Sequence, residues 1–329
     1  MSIVDSKQNT LTGDVLLRVE ELVIEYKNRR GGVVRAVAGV SFDINKGETV
    51  AVVGESGCGK STLAKGVMQL VETKMGRVVL DGVEFSSLKG EQLRQVRPKI
   101  QMIFQDSVAS LDPHMTVREL VEQPMKVWHK GDADDRRGKV DELLRSVNLD
   151  PEVVGNRKPT EFSGGQCQRV SIARALSLEP KLLVCDEPVS SLDVSIQSQI
   201  LNIIQNMKKR YGLSLLFISH DLSVVRAISD RVIVMYLGKI CEVSTPQKIV
   251  NSPAHHYTRA LVASVPVPDP TVGRRRAAIE GEPPSPVNPP SGCRFRTRCA
   301  AATALCAEQE PQLREVTPGQ FVACHHPIA

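Results

Sequence analysis

The segment Gly54–Ser61 places the strongest constraint on how this chain folds. It has the pattern G-x-x-x-x-G-K-S, follows the apolar stretch Thr49–Val53 and precedes a predicted helix that begins near Thr62. A strand, this pattern and a helix in that order are the P-loop in its required context. The glycines let backbone N–H groups surround phosphates, Lys60 reaches the β- and γ-phosphates, and the Ser61 hydroxyl ligates Mg²⁺. The pattern therefore predicts a site for nucleotide phosphates.

A second motif supplies two carboxylates. The apolar run Leu182–Cys185 ends in Asp186 and Glu187. Asp186 can orient Mg²⁺ or its water, and Glu187 can polarise an attacking water. A lone Asp-Glu pair after a strand is more often a solvated loop, but next to a P-loop it indicates a metal ligand and a catalytic base.

The apolar pattern predicts an α/β fold with a largely parallel sheet and helices on both faces. Between Arg97 and Asn156 the pattern is helical and loop-like without strong strand signals, which indicates an inserted helical subdomain at about 97–160. Helices are predicted after Gly59, Ser163 and Val194. The predicted strands are 15–26, 40–53, 181–185, 214–219 and 231–237.

Composition divides the chain into three predicted parts. The chain has 329 residues, enough for one large α/β domain and an appendage. Residues 265–290 are rich in proline, which favours an extended linker. We therefore predict a domain at 1–264, a linker at 265–290 and a small cysteine-rich module at 291–329.

Charge and hydropathy limit the classes of partner. No apolar run approaches the roughly 20 residues that cross a bilayer, and Met1–Gly13 is polar, unlike a signal peptide. We therefore expect the chain to stay in the cytoplasm. The net charge of +5 comes without a long basic block apart from Arg274–Arg276, so no nucleic-acid partner is expected.

The segment Phe162–Gln166 resembles the signature sequence of ABC ATPases, with Phe162 in place of the usual leucine. Gln105, Asp193 and His220 stand in the family's order and are similar to its Q-loop, D-loop and switch histidine. The resemblance implies an ABC cassette with a RecA-like α/β core, an antiparallel β subdomain and a helical subdomain. It also implies that the signature of one subunit closes on ATP held by the P-loop of another.

The P-loop and the resemblance together define the candidate site. Catalysis is assigned to Gln105, Glu187 and His220, and Mg²⁺ to Ser61, Gln105 and Asp186. Cys167 departs from the arginine or other polar residue common there and is expected to weaken contacts at that helix start. The residues assigned to ATP are Tyr26 (stacking on adenine), Gly54, Glu55, Ser56, Gly57, Cys58, Gly59, Lys60, Ser61, Thr62, Ser163, Gly164, Gly165, Gln166 and Asp193.

Within this family, the chain resembles the ATPases of oligopeptide and dipeptide importers. Such importers have two ATPases, and the sequence Val189-Ser190 is most similar to the second of them, the F-type partner. The stretches that carry this likeness are Gln105–Pro113, Asp186–Gln197, His255–Leu261 and the segment that contains Cys293, Cys299, Cys306 and Cys324. It implies a second homologous ATPase, two transmembrane permease subunits and an external solute-binding protein. It places the chain peripherally on the cytoplasmic face of the bacterial inner membrane, with the segment after Gln105 docking on the membrane subunits.

Four of the eight cysteines lie near the end of the sequence. Without an export signal, cysteines are more often reduced thiols or metal ligands than disulfides. The spacing lacks CxxC and resembles importer ATPase tails, some of which hold a [4Fe–4S] cluster. Zn²⁺ is the second choice, with His325 or His326 as a replacement ligand, and Arg294, Arg296 and Arg298 could offset thiolate charge. The four candidate ligands are Cys293, Cys299, Cys306 and Cys324.

Other functions remain open from the sequence alone. An importer ATPase for another solute, such as nickel, would carry the same motifs. A soluble ABC ATPase of DNA repair or ribosome work usually has two cassettes or long insertions, which this chain lacks. A module that only binds ATP is disfavoured because Lys60, Asp186, Glu187 and His220 are all present.

Overall fold

The structure is a computed structural model that describes residues 14–27, 32–265 and 281–328. Met1–Gly13, Arg274–Arg276 and most of the predicted linker lie outside the described residues. The chain divides into two compact units. Of the described residues, the first unit contains 14–27, 32–44, 49–87, 219–265 and 281–328, and the second contains 45–48 and 88–218.

The strands of the described residues are, in chain order, β1 Val15–Lys27, β2 Val33–Asn45, β3 Thr49–Val53, β4 Met75–Leu80, β5 Val83–Glu84, β6 Ile100–Ile103, β7 Leu182–Asp186, β8 Ser214–Ile218, β9 Arg231–Tyr236, β10 Lys239–Ser244, β11 Arg314–Thr317 and β12 Gln320–Val322. The α-helices are α1 Lys60–Val67, α2 Gly90–Val96, α3 Val117–Val127, α4 Ala133–Ser146, α5 Pro151–Val154, α6 Gly164–Leu176, α7 Val194–Tyr211, α8 Leu222–Ile228, α9 Pro246–Asn251, α10 His256–Ala263 and α11 Ala304–Glu308.

The first unit contains two sheets. One has the order β2-β1-β4-β5, with antiparallel β1–β4 and β4–β5 pairs. In the other, the strands of this unit follow the order β11-β12-β10-β9-β3, and β3 and β9 are parallel. All five residues of β3 are buried, which places the strand that leads into the P-loop inside the core.

The predicted strand at 40–53 is wrong as a single element. The structure has two strands there, β2 and β3, because the chain turns between them. Gly47 has a φ of +73°, and the Glu48 N–H donates to the Asn45 carbonyl at 3.1 Å. A positive φ suits glycine, so this residue permits the turn.

The separate cysteine-rich module is not supported by the fold. Strand β12 pairs antiparallel with β10, so the segment after the predicted linker extends a sheet of the first unit. The buried Glu242 carboxylate accepts a 2.8 Å hydrogen bond from the Gln320 side chain. The Phe295 ring lies 5.3 Å from the rings of both Tyr236 and Tyr257. These long-range contacts join residues 291–328, called the cysteine tail below, to the core of this unit.

The second unit places the acid-bearing strand in a parallel sheet of order β8-β7-β6. Every residue of β7 is buried, as its apolar sequence predicts. The expectation of no strand between Arg97 and Asn156 is wrong at β6. The four residues of this strand pair in parallel with Leu182–Cys185. Helices α3 and α4 begin with capping boxes, at Thr116 with Glu119 and at Asp132 with Asp135.

Within the described ranges, no helix combines the length and the apolarity needed to cross a membrane.

Candidate nucleotide site

The P-loop has a backbone that only glycine permits at two positions. Gly54 has a φ of +156°, and a Cβ there would lie 2.2 Å from the Met235 carbonyl oxygen. Gly59 has a φ of +107°, and a Cβ there would lie 2.2 Å from the Ala36 carbonyl oxygen. The glycines therefore let the loop pass directly against neighbouring backbone in the first unit.

Lys60 begins α1 and is only 5% exposed. Its ammonium donates to the carbonyl oxygens of Gly54 at 2.8 Å and Glu55 at 3.0 Å. These bonds hold the Lys60 ammonium against the start of the loop that is predicted to bind phosphate. The adjacent N-terminus of α1 adds its own partial positive charge.

Glu55 is held from two sides by residues far away in the sequence. Its backbone N–H donates to the Tyr257 hydroxyl at 2.8 Å. Its carboxylate accepts two hydrogen bonds from Arg298, at 2.8 Å and 3.2 Å. Both contacts were missed by the sequence analysis, which took Arg298 as a cation beside thiolates.

The acid pair lies at the end of β7 in the second unit. Asp186 is buried, and Glu187 has a φ of +47°, the left-handed region that costs a non-glycine residue about 1–2 kcal/mol. The Glu187 N–H donates to the Ile218 carbonyl at 3.0 Å. The Gln105 side-chain amide donates to the Glu187 carboxylate at 3.2 Å. Two residues predicted to be catalytic thus touch each other although 82 positions separate them.

The predicted signature forms the start of α6. Ser163 is the N-cap residue, and its backbone N–H donates to the Gln166 side chain at 3.0 Å. A Cβ on Gly165 would lie 2.7 Å from the Ile196 side chain of α7, so glycine allows the two helices to approach closely. Ser163 and Gly164 are exposed, which leaves this helix start open to an anion.

Comparison with known proteins identifies the chain. Residues 37–190 match the family model described as ABC transporter, and 241–306 match that described as oligopeptide/dipeptide transporter, C-terminal region. The chain is 48% identical over 310 residues to the oligopeptide transport ATP-binding protein OppF of Salmonella typhimurium, covering 91% of this chain and 92% of that protein. It is 50% identical over 300 residues to AppF of Bacillus subtilis, another oligopeptide transport ATP-binding protein, covering 90% of this chain and 91% of that protein.

The chain belongs to the ABC transporter family.

Solved structures agree with this assignment. The cassette MJ0796, described as dimeric and bound to ADP and Pi, matches with a TM-score of 0.65 at 29% identity over 70% of this chain and 99% of that chain. CbiO1 from Clostridium perfringens, described as part of the transporter complex cbiONQ, matches with a TM-score of 0.65 at 30% identity over 73% of this chain and 92% of that chain. The ABC cassette fold is therefore confirmed, and membership of this family implies ATP and Mg²⁺.

Three further candidate residues of this ABC ATPase are Asp193, Tyr26 and His220. Asp193 is the N-cap of α7, and its carboxylate accepts from the Ile196 N–H at 3.0 Å and the Ser195 hydroxyl at 2.6 Å. The hydrogen bond from Ser195 lowers the pKa of Asp193. Tyr26 lies near the end of β1 and is 41% exposed, and His220 is exposed between β8 and α8. The side chains of Tyr26 and His220 are therefore accessible to a ligand, as their predicted roles require.

Cys167 occupies a buried position beneath the predicted signature. Its side chain is buried, and its thiol lies 3.6 Å from the Pro159 carbonyl oxygen, to which it donates. Burial raises the pKa of this thiol. The residue that departs from the family pattern is therefore a small buried group beneath the signature.

The four tail thiols line one small cavity but do not form a metal site. Among residues 14–27, 32–265 and 281–328, no three His, Cys, Asp or Glu side chains are arranged to hold a metal ion. Burial raises the pKa of the Cys293 thiol to about 11. The arginines have other partners: Arg294 donates to the Leu237 carbonyl, Arg296 to the Ser291 carbonyl and Arg298 to Glu55. The geometry therefore does not support the predicted iron–sulfur cluster.

Proposed function

We propose that this chain binds and hydrolyses ATP to energise the import of oligopeptides or dipeptides across the bacterial inner membrane. The observation that supports hydrolysis is the buried strand β7, which ends in Asp186 and Glu187, with Gln105 bonded to the Glu187 carboxylate at 3.2 Å. The peptide cargo follows from relatives named as oligopeptide transport proteins that are aligned over about nine-tenths of the chain.

Each part of the proposed site has a distinct task. The P-loop, Gly54–Ser61, binds the phosphates through its backbone N–H groups, and the Lys60 ammonium balances charge on the γ-phosphate. Tyr26 stacks on adenine. The signature residues Ser163–Gln166 close on ATP bound by a second cassette, and Asp193 belongs to the same contact.

Hydrolysis requires a base, and Glu187 is the proposed one. Its carboxylate polarises the attacking water, Gln105 holds that carboxylate in place, and His220 stabilises the developing charge on the γ-phosphate. The donors assigned to Mg²⁺, the Ser61 hydroxyl, the Gln105 amide oxygen and the Asp186 carboxylate, are the hard oxygens that this ion prefers. Bound Mg²⁺ supplies positive charge to the phosphates.

The proposed complex contains a second homologous ATPase, two permease subunits and an external solute-binding protein. The chain acts peripherally at the cytoplasmic face, and its segment after Gln105 docks on the permeases. Arg174 holds that segment through hydrogen bonds to the Ser110 carbonyl at 2.6 Å and hydroxyl at 3.2 Å. Val108, in the same segment, is 53% exposed, so an apolar side chain is available to a partner.

The finer predictions from the sequence belong to this proposal as well. The domain boundaries at 264 and 290 and the helical subdomain at 97–160 stay predictions. A [4Fe–4S] cluster at Cys293, Cys299, Cys306 and Cys324, with Zn²⁺ as second choice, would require the thiols to regroup. Anaerobic purification with visible absorption and iron, sulfide and zinc assays decides among the cluster, zinc and free thiols.

Uptake by cells tests the transport role. Cells that carry either the native chain or Glu187→Gln are given labelled dipeptides, oligopeptides and Ni²⁺. We expect the substitution to abolish peptide uptake and to leave Ni²⁺ uptake unchanged. Loss of Ni²⁺ uptake alone would favour the nickel importer, and co-purification with ribosomes or DNA in place of permeases would favour a soluble ABC ATPase.

Purified protein tests the catalytic role separately. Glu187→Gln keeps the size of the side chain and removes the base, so ATP binding should persist while turnover falls by about 1,000-fold, within the range of a lost general base. Equal turnover in both proteins would contradict the role of Glu187. Glu179→Gln is a matched control, because Glu179 is exposed, pairs with Lys139 and precedes β7, whereas Glu187 follows that strand.

A further inference from the structure

Glu55 is an unusual neighbour for phosphate because it brings a negative charge into the P-loop. It follows Gly54 directly, and its own carbonyl oxygen accepts a hydrogen bond from Lys60 at 3.0 Å. An unpaired carboxylate at this position would repel the phosphates of ATP. Its charge must therefore be compensated for the loop to bind an anion well.

Arg298 supplies that compensation from the cysteine tail. The guanidinium forms two hydrogen bonds with the Glu55 carboxylate, at 2.8 Å and 3.2 Å, and lies 3.2 Å from the Tyr236 hydroxyl. The Arg298 side chain is 5% exposed and that of Glu55 is 24% exposed. A forked pair in such a poorly solvated position is stronger and more directional than a surface ion pair.

The tail holds Arg298 through packing as well as through charge. Arg298 ends a 3₁₀ turn, Arg296–Arg298, and its N–H donates to the Phe295 carbonyl at 3.0 Å. The Phe295 ring packs against Tyr257, whose hydroxyl accepts from the Glu55 N–H at 2.8 Å. The backbone and the side chain of Glu55 are thus held by the same packed cluster.

We propose that Arg298 is a positioning residue for ATP binding: it neutralises Glu55 and holds the start of the P-loop in the shape that accepts phosphates. The cysteine tail thereby contributes to nucleotide affinity without touching the nucleotide. This inference rests on the proposed role of the P-loop.

The proposal is tested with the full chain and a fluorescent ATP analogue in the presence of Mg²⁺. Arg298→Ala should raise Kd about tenfold, because an uncompensated carboxylate remains beside the phosphates. Arg298→Lys keeps the charge but loses the fork, so its Kd should lie between those of Arg298→Ala and the native chain. In ATPase assays the change should appear in KM, with kcat within about twofold of the native value, because the reacting groups are untouched.

A double variant distinguishes the effect of the Glu55 charge from the effect of a disrupted cysteine tail. If the penalty comes from the Glu55 charge, Arg298→Ala combined with Glu55→Gln should bind the analogue more tightly than Arg298→Ala alone, by about fivefold. If Arg298 were needed only to keep the tail folded, the second substitution would give no recovery. Thermal melting of all variants shows whether any of them has lost the fold.

Arg296→Ala is the matched control. Arg296 lies in the same turn, but its guanidinium donates to the Ser291 carbonyl and hydroxyl within the tail. Its removal should leave Kd unchanged. An Arg298→Ala protein with native Kd, or one whose weakened binding Glu55→Gln does not relieve, would overturn the proposal.

Lys60→Ala separates this proposal from the one on which it rests. Loss of analogue binding in Lys60→Ala together with native binding in Arg298→Ala would refute only the role of Arg298. Native binding in Lys60→Ala would refute the assignment of the P-loop itself.

Discussion

The P-loop and the cysteine tail meet at Glu55, but different kinds of contact determine their shapes. The loop depends on a local sequence feature, the glycines at positions 54 and 59, which have positive φ and no space for a Cβ. The tail is determined by partners far away in the sequence, such as Gln320 with Glu242, 78 positions apart, and Arg298 with Glu55, 243 positions apart. A local motif can therefore be recognised from eight residues, whereas the tail has a defined shape only on the core that it contacts.

The strongest test of this contrast is Gly54→Ala. The added methyl group would overlap the Met235 carbonyl, and φ of +156° is strained for alanine. We expect Kd for ATP to rise about 1,000-fold, roughly 4 kcal/mol, in an equilibrium binding assay. Gly138→Ala is the control, because a Cβ there meets no atom within 4 Å, and it should bind normally.

On the tail side, Phe295→Ala should have the largest effect on stability. The ring is 3% exposed and contacts Tyr236, Tyr257 and His255. Its removal leaves a cavity, so the free energy of unfolding should fall by about 3 kcal/mol in urea titrations. Leu305→Ala, at an exposed apolar residue of the same tail, should change it little. Equal losses in both variants would mean that the tail does not pack specifically.

Gln320→Ala tests the polar contact between β12 and the core. The Gln320 amide donates to the fully buried Glu242 carboxylate and to the Ser252 carbonyl. Loss of these two hydrogen bonds, one of them to a charged group, should lower the free energy of unfolding by about 2 kcal/mol. The exposed Gln309→Ala is the control, and a native unfolding curve for Gln320→Ala would show that the contact is weak.

The smallest expected effect is a pH dependence from His255, which packs against Phe295. Burial, with the charge of His256, lowers the pKa of His255 from 6.5 to about 3. Below about pH 6.5 only the unfolded chain takes up this proton, so stability falls as the pH drops toward 3. Between pH 7 and about pH 5.5, the native chain should lose about 1 kcal/mol more than His255→Gln. The exposed His114→Gln should follow the native curve.

The fully buried strands β7 and β8 were predictable from their sequences. β7 and β8 are short apolar runs whose residues are all buried, so their sequences resemble strands without further information. Strand β6 was missed because it has only four residues, includes Gln101 and follows a basic turn with a proline. Strands β11 and β12 were missed because they carry polar residues and depend on pairing with β10.

The candidate site was predictable residue by residue but not as a set of contacts. The order of the motifs identified Gln105 and Glu187 as candidates. Their contact could not be predicted, because sequence spacing gives no information about residues 82 positions apart. The left-handed backbone of Glu187 has no sequence signal, since this region normally favours glycine. Arg298 was assigned to the wrong partners because four nearby cysteines suggested a thiolate charge, whereas its guanidinium faces Glu55.

The pairing of β12 with β10 has a consequence for how the chain can be shortened. A fragment that stops at residue 264 would keep all the motifs assigned to ATP. It would also uncover the rings of Tyr236 and Tyr257, take the Gln320 amide away from the Glu242 carboxylate and leave the edge of β10 unpaired. Unpaired strand edges and uncovered aromatic rings promote aggregation. We therefore expect a fragment that ends at residue 264 to be less stable and more prone to aggregation than one that extends through β12.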